Sequence, residues 1–316
     1  MLKITGMIAN SCQHLYLQKQ DTLKLPFLNF FSTPKKTPPN IPLPPKIYNL
    51  GLHKQQTNTL PRKTTYRERY TNKLIEAGAE PLKKERKERI PIDPAIQQPY
   101  ADGRVILINK PLHWTSFDVV RKLRSLIQIK KIGHAGTLDP LATGLLIVCT
   151  GKFTKKINEY MAQEKEYTGS ITLGAVTPTY DLESLPEQPK DFSFVTNEML
   201  LAATEKFVGD IQQLPPIYSA IKKDGVALYE LARRGEEVEL KPRSIHIKSF
   251  EITAIELPIV YFKVICGTGT YIRSLANDYG ALLGCGGYLS SLCRTRIGEF
   301  KIEDAESPEF LNSDQL

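Results

Sequence analysis

One carboxylate, Asp139, sits at the centre of the stretch KKIGHAGTLDPLATGLLIVC, residues 130–149. Gly133, Gly136 and Gly144 permit backbone angles that side chains forbid, and Pro140 pushes Asp139 out of helical geometry toward an extended one. The apolar run 145–149 then reads as a buried strand that anchors the loop from its C-terminal side. Chemistry concentrates on loops held by rigid strands, which makes Asp139 a candidate reactive group; a β-turn whose Asp bonds its own backbone is the plainer alternative. Two other polar groupings stand out: Tyr167, which follows the charged pair Lys165 and Glu166, and GTGTYIR, which carries Tyr271 and Arg273.

Several chemistries fail on spacing. GTGTYIR follows a strand-like run as a dinucleotide fingerprint does, but Ile272 occupies the third glycine position and no acid follows about 20 residues on. GLLIVCTGK has two residues too many between its glycines for a phosphate loop, and Phe153 stands where Ser or Thr would hold magnesium. The five histidines are scattered and the five cysteines form no CxxC pair, so no metal site is expected.

The elements that would position these groups begin at Asp102. RVILIN reads as a strand, 111–114 as a turn, and Thr115 or Ser116 as the cap of a helix whose apolar face comprises Phe117, Val120, Leu123, Leu126 and Ile127. After the Asp139 loop come a helix over 153–161, an alternating strand in KEYTGSITLGA, and a helix capped by Thr196 and ending near Gly209. Residues 218–239 read as a short strand, a Lys-Lys-Asp-Gly turn and a helix. Two long β runs, 244–257 and 259–266, are parted by Pro258, and a helix over 271–283 precedes a last strand through Leu292, Arg294 and Arg296. Strands outnumber helices without a βαβ rhythm, which implies an α+β domain around a mixed, mostly antiparallel sheet.

Composition divides the chain. Its 316 residues are 41% hydrophobic and 24% charged, enough for a sizeable core, and no apolar run approaches a membrane span. Residues 1–100 hold 17 Lys and Arg against 7 Asp and Glu, leaving 25 against 27 for residues 101–316. The pI near 9.1 therefore belongs to an N-terminal tail, and any nucleic-acid surface on the folded part must be a local patch. Residues 1–66 form a basic, Pro-rich, low-complexity extension expected to be disordered, a targeting segment or the product of an upstream start being alternatives. Residues 67–101 read as a charged helical or linker segment, 102–305 as the domain and 306–316 as a short tail. The cysteine usage fits a reducing cytoplasm.

The strings INKPLHWTSFDVV, GHAGTLDPLATGLL, KEYTGSITLG, LPPIYSAIKKDGVALYELARRG, GTYIRSLANDYG and LGCGGYL…LCRTRIGEF fall in this order across residues 102–305. Together they resemble the successive motifs of the bacterial tRNA pseudouridine-55 synthase family (TruB type). The resemblance implies a pseudouridine-synthase-like domain that isomerises uridine to pseudouridine at position 55 in the T loop of tRNA, without cofactor or metal. Asp139 matches the family's nucleophile position, and Arg273 would pair with it, a guanidinium being able to grip a carboxylate through two nitrogens. Tyr167 matches the stacking tyrosine that offsets the cost of flipping the base, and its phenol is a further candidate for a base near C5. His134, Tyr271 and Leu292 match pocket-lining positions. Lys222, Lys223, Arg233 and Arg234 lie in the family's mobile segment and, with Arg294, are candidates to meet RNA phosphates.

Two departures stand out. Cys293 occupies a position where Arg commonly precedes Arg294, and residues 306–316 are expected to be a short tail where many members of the family carry a small C-terminal RNA-binding domain. The partner implied is the T arm of tRNA, met by a cytoplasmic monomer with no membrane contact. Two alternatives are a tRNA-folding chaperone built on the same fold and pseudouridylation of a different RNA.

Overall fold

The computed structural model describes residues 91–308 except 220, 221, 224, 235, 237 and 239. The 1–66 extension, most of the 67–101 segment and the end of the 306–316 tail lie outside the described residues. Helix α1 (Pro94–Asp102) leads into β1 (Val105–Lys110) and α2 (Ser116–Ile127), then β2 (Ile132–Ala135) and β3 (Ala142–Thr150). A 3-10 turn (Gly151–Lys156) and α3 (Ile157–Ala162) precede β4 (Lys165–Leu173), α4 (Asn197–Glu205) and β5 (Gly209–Gln213). A hairpin of β6 (Lys222–Lys223) and β7 (Val226–Ala227) runs into α5 (Leu228–Arg233). Then come β8 (Arg243–Glu256), β9 (Ile259–Cys266), α6 (Ile272–Leu282), β10 (Gly287–Ile297) and β11 (Phe300–Lys301).

Nine of these strands form one sheet in the order β1-β3-β10-β4-β9-β8-β5, with β2 added to β3 and β11 to β10, while β6 and β7 pair only with each other. Every pairing is antiparallel except that of β10 with β3, so the sheet is mixed and mostly antiparallel. Strand β3, next to the edge strand β1, accounts for the continuous apolar run. Leu146 and Val148 face α2, whereas Leu145, Ile147 and Cys149 enter a second cluster on the opposite side. A strand covered on both faces has no polar side to present. The largest cluster fills the space between the β4-β9-β8 part of the sheet and helices α4 and α6, where Phe250, Phe262 and Tyr279 meet edge to face.

Three local expectations change. Thr115 caps α2 in a reciprocal box with Asp118, and the buried stripe runs through Ser116, Val119, Val120, Leu123 and Ile127; Phe117 falls off that stripe and is exposed. Residues 94–101, expected in the linker, join the fold because Tyr100 offers a large apolar ring to the α2 cluster. Lys222 and Lys223 form a strand rather than a turn, pairing with Ala227 and Val226. The edge strand β1 is also continued beyond residue 305, since the Asn109 N–H donates to Glu306 O and the Glu306 N–H to Leu107 O. Among the described residues no helix is long and apolar enough to cross a membrane.

Candidate active site

Asp139 occupies the turn between β2 and β3, its carbonyl accepting from the Ala142 N–H at 3.0 Å. Arg273, at the start of α6, brings Nε to 2.9 Å from Asp139 Oδ2 and 3.7 Å from Asp181 Oδ2. The Arg273 side chain is 5% exposed and Asp139 41%, so the positive charge is interior and the carboxylate opens outward. The guanidinium does not fork onto Asp139 as expected. Its Nη1 donates to Thr179 O and its Nη2 to Tyr218 O, both at 3.1 Å, which leaves Nε for the carboxylates. The Nε contact is an ion pair whose N–H is not directed along a hydrogen bond. Burial works against the arginine's charge, but Asp139, Asp181 and Glu183 outweigh it and raise its pKa.

Asp181 was not legible as a site residue. It is buried, and burial pushes its carboxyl above the usual range despite the opposing pull of Arg273. Its Oδ1 accepts from the Glu183 N–H at 3.0 Å. Arg273 thus stands between two carboxylates, one open to solvent and one buried.

The loop that presents Asp139 is tied down from several sides. Ser116 Oγ accepts from the Leu138 N–H at 2.9 Å and donates to Leu138 O at 3.1 Å, clamping the peptide next to Asp139 from the first turn of α2. The His113 N–H donates to Pro140 O at 2.8 Å. Lys110 is fully buried; its Nζ donates to Trp114 O and Pro111 O, and burial lowers its pKa to about 7. Gly144, at φ +103°, lets β10 come so close that a Cβ would lie 2.4 Å from Arg294 O. Opposite, the Gln213 carboxamide accepts from the Tyr271 N–H at 2.8 Å and donates to Tyr271 O at 3.1 Å, holding the start of α6 as Ser116 holds the Asp139 loop.

The sequence-identified residues divide. Asp139 and Arg273 meet, and Tyr167 and Tyr271 lie close enough to sense the Asp139 charge. Tyr167 is buried in the main cluster, and burial raises its phenol above the usual range, so at neutral pH it is a hydroxyl donor and not a phenolate base. Leu292 packs at the edge of the same cluster, while His134 is half-buried, bonds locally to Thr137 Oγ1 at 3.3 Å, and is driven toward its neutral form by burial.

Arg294 is not available to phosphates. It is 1% exposed, and its Nε and Nη2 donate to Leu145 O at 2.8 Å and Gly136 O at 3.0 Å, tying both ends of the Asp139 loop to β10. A planar, permanently charged group with several donors suits this interior role because it satisfies two carbonyls at once. Arg234 is exposed, near Glu230 and Glu236. The side chains of Lys222, Lys223 and Arg233 lie outside the described residues.

This arrangement, an exposed aspartate on a mixed sheet with an arginine between two acids, sits on a pseudouridine-synthase fold. A crystal structure of a Cbf5-Nop10-Gar1 complex matches with a TM-score of 0.54 and 28% identity, covering 74% of this chain and 64% of that one. An H/ACA RNP bound to a substrate RNA containing 2'-deoxyuridine matches with a TM-score of 0.52 and 28% identity, covering 69% and 55%. The chain thus spans less than two thirds of either structure's matched chain. Residues 124–272 match the model of the TruB family pseudouridylate synthase, N-terminal domain. The tRNA pseudouridine synthase B of Flavobacterium johnsoniae is 52% identical over 213 residues, 65% of this chain and 93% of that protein. That of Parabacteroides distasonis is 48% identical over 213 residues, 66% and 91%. The chain belongs to the TruB family of pseudouridylate synthases.

Proposed function

We propose that this protein isomerises uridine to pseudouridine at position 55 in the T loop of tRNA. The reaction breaks the bond from C1′ to N1, turns the uracil, forms a bond from C1′ to C5, and moves a proton from C5 to N1. It needs a nucleophile open to the RNA and a fixed charge that holds it in place while the base is loose. Asp139 is the nucleophile. The single observation that carries this reading is that its carboxylate is open to solvent yet lies 2.9 Å from a buried guanidinium.

Arg273 is held by two backbone carbonyls and by Asp181, so it keeps its position as the Asp139 carboxylate reacts. The target base is flipped out of the loop and meets Tyr167, Tyr271, His134 and Leu292, while Lys222, Lys223, Arg233 and Arg234 meet the RNA backbone. The reading places a monomer in the cytoplasm, where tRNA is matured.

Asp139→Asn tests it. The amide keeps the shape but is neither nucleophile nor counter-ion. Pseudouridine in digested tRNA, measured by mass spectrometry, should fall to background while filter-retained tRNA is equal or slightly greater, because a negative charge facing phosphates has gone. Appreciable turnover by the Asn variant would overturn the assignment.

A further inference from the structure

The charge of the folded part is nearly balanced, yet it is not evenly spread. Residues 119–158 hold eight Lys and Arg and one acid, Asp139 itself. The fold gathers six of these bases at the end of the β2–β3 ladder opposite the Asp139 turn. Lys130 and Lys131 precede β2, and Lys152, Lys155 and Lys156 lie on the 3-10 turn that follows β3. The two segments touch, since the Gly151 N–H donates to Lys131 O at 2.9 Å and Ile132 pairs with Thr150. Arg124 joins them from α2, its Nη2 at 3.5 Å from Ile132 O.

All six side chains are exposed, and among the described residues none of them is in an ion pair with a carboxylate. Lys156 lies over the Phe153 ring, 4.9 Å from its centroid, which braces one ammonium on the surface. Between residues 119 and 158 the one acid is Asp139, at the far end of β3, and Glu159 follows directly, too few to neutralise the cluster. Like charges crowded in this way repel, and a polyanion relieves the repulsion by releasing its own counterions.

We propose that this lysine cluster is a second RNA-backbone contact, separate from the reacting site and engaging tRNA beyond the T loop. The proposal rests on the pseudouridine-synthase reading, which supplies the polyanion. β3 runs from Ala142 to Thr150 between the two places. At about 3.3 Å per residue these eight steps separate them by about 26 Å. A contact that far from Asp139 adds affinity without touching the chemistry, and lysine, a point charge on a flexible stem, suits unspecific phosphate contact.

The test is a charge-reversal variant of the full chain, Lys130→Glu, Lys152→Glu and Lys155→Glu together, set beside a control that reverses the exposed Lys190, Lys206 and Lys301. Binding of whole tRNA and of an isolated T-arm stem-loop is measured over a salt series, with the single-turnover rate at saturating stem-loop. The cluster variant should bind whole tRNA at least about tenfold more weakly near 0.1 M salt, and its slope of log affinity against log salt should shrink by about 2 to 3, one phosphate contact contributing about 0.7 to 0.9. Its stem-loop affinity and turnover rate should match the unmodified chain. Unchanged tRNA affinity, an equal loss in the control, or an equal loss for the stem-loop would each overturn the proposal. Loss of binding to anionic vesicles with tRNA binding intact would overturn it in favour of a membrane surface. Absence of pseudouridine formation by the unmodified chain would instead defeat the functional reading, because the affinity comparison does not depend on turnover.

Discussion

Arg273→Met removes the charge between Asp139 and Asp181 while retaining much of the buried volume. Arg273 Nε and Asp181 Oδ2 are 3.7 Å apart on side chains 5% and 6% exposed, so solvent screens them little. At an effective dielectric of about 20 that separation corresponds to about 4.5 kcal/mol. The whole amount is not lost, because Asp181 is already pushed toward its protonated form by burial and takes up a proton more readily once the arginine has gone. Thr179 O and Tyr218 O lose their donors as well. Removing one side of a buried pair costs about 3 to 5 kcal/mol, and the lower half of that range applies here.

Asp181→Asn should cost less than about 1 kcal/mol, since the amide oxygen still accepts from the Glu183 N–H and the charge removed is one that burial disfavours. The double variant should therefore recover about 2 kcal/mol of the Arg273→Met loss. Urea denaturation of the four proteins gives the cycle, and pseudouridine formation should be absent whenever Arg273 is missing. The pH dependence has a definite sign. The folded pKa of Asp181 lies above its ordinary value of 3.8, so this group favours folding at low pH and that contribution is lost as pH rises through the folded pKa. Without Arg273 the folded pKa rises further, and the variant should regain stability relative to the unmodified chain as pH falls through that raised pKa. A double variant no more stable than Arg273→Met would refute the dependence of Asp181 on the arginine.

Lys110 should titrate near neutrality when its Cε shift is followed by NMR, because its folded pKa is about 7 against an ordinary 10.5. Between those values the unfolded chain binds the extra proton, so the group's contribution to stability rises with pH across that window, by up to about 5 kcal/mol, and Lys110→Met should flatten the slope. Gly144→Ala places a Cβ 2.4 Å from Arg294 O and 2.6 Å from Arg294 N at a φ of +103°, and since both neighbours are backbone it should cost more than about 3 kcal/mol or prevent folding, as read by denaturation midpoint. Ser116→Ala leaves the Leu138 N–H and C=O without their clamp and should lower stability by about 1 to 3 kcal/mol. Turnover should fall in that variant while tRNA affinity stays level.

What the chain reveals on its own depends on how far each residue's environment is set locally. The Asp139 loop is legible because Pro140, the glycines and the apolar β3 are contiguous, and β3 reads without alternation because both its faces are covered. Asp181 is illegible because nothing in TPTYDLES distinguishes a buried acid from a surface turn; the arginine that makes it tolerable arrives from another part of the chain. Arg294 misleads for a different reason. Alternation along β10 puts Leu292, Arg294 and Arg296 on one face, but the pairing with β4 shifts register between Arg294 and Arg296. Arg296 reaches Glu164 at 2.8 Å near the surface, whereas Arg294 turns inward to the carbonyls of the Asp139 loop.

The shift also bears on charge balance at the site. Two ionised acids and one arginine would leave the site net negative. Arg294 and Lys110 stand behind the loop and both act electrostatically on its neighbourhood, Lys110 sensing Asp139 directly. Lys110 loses its charge near neutrality, so the field at Asp139 grows more negative as pH rises through about 7.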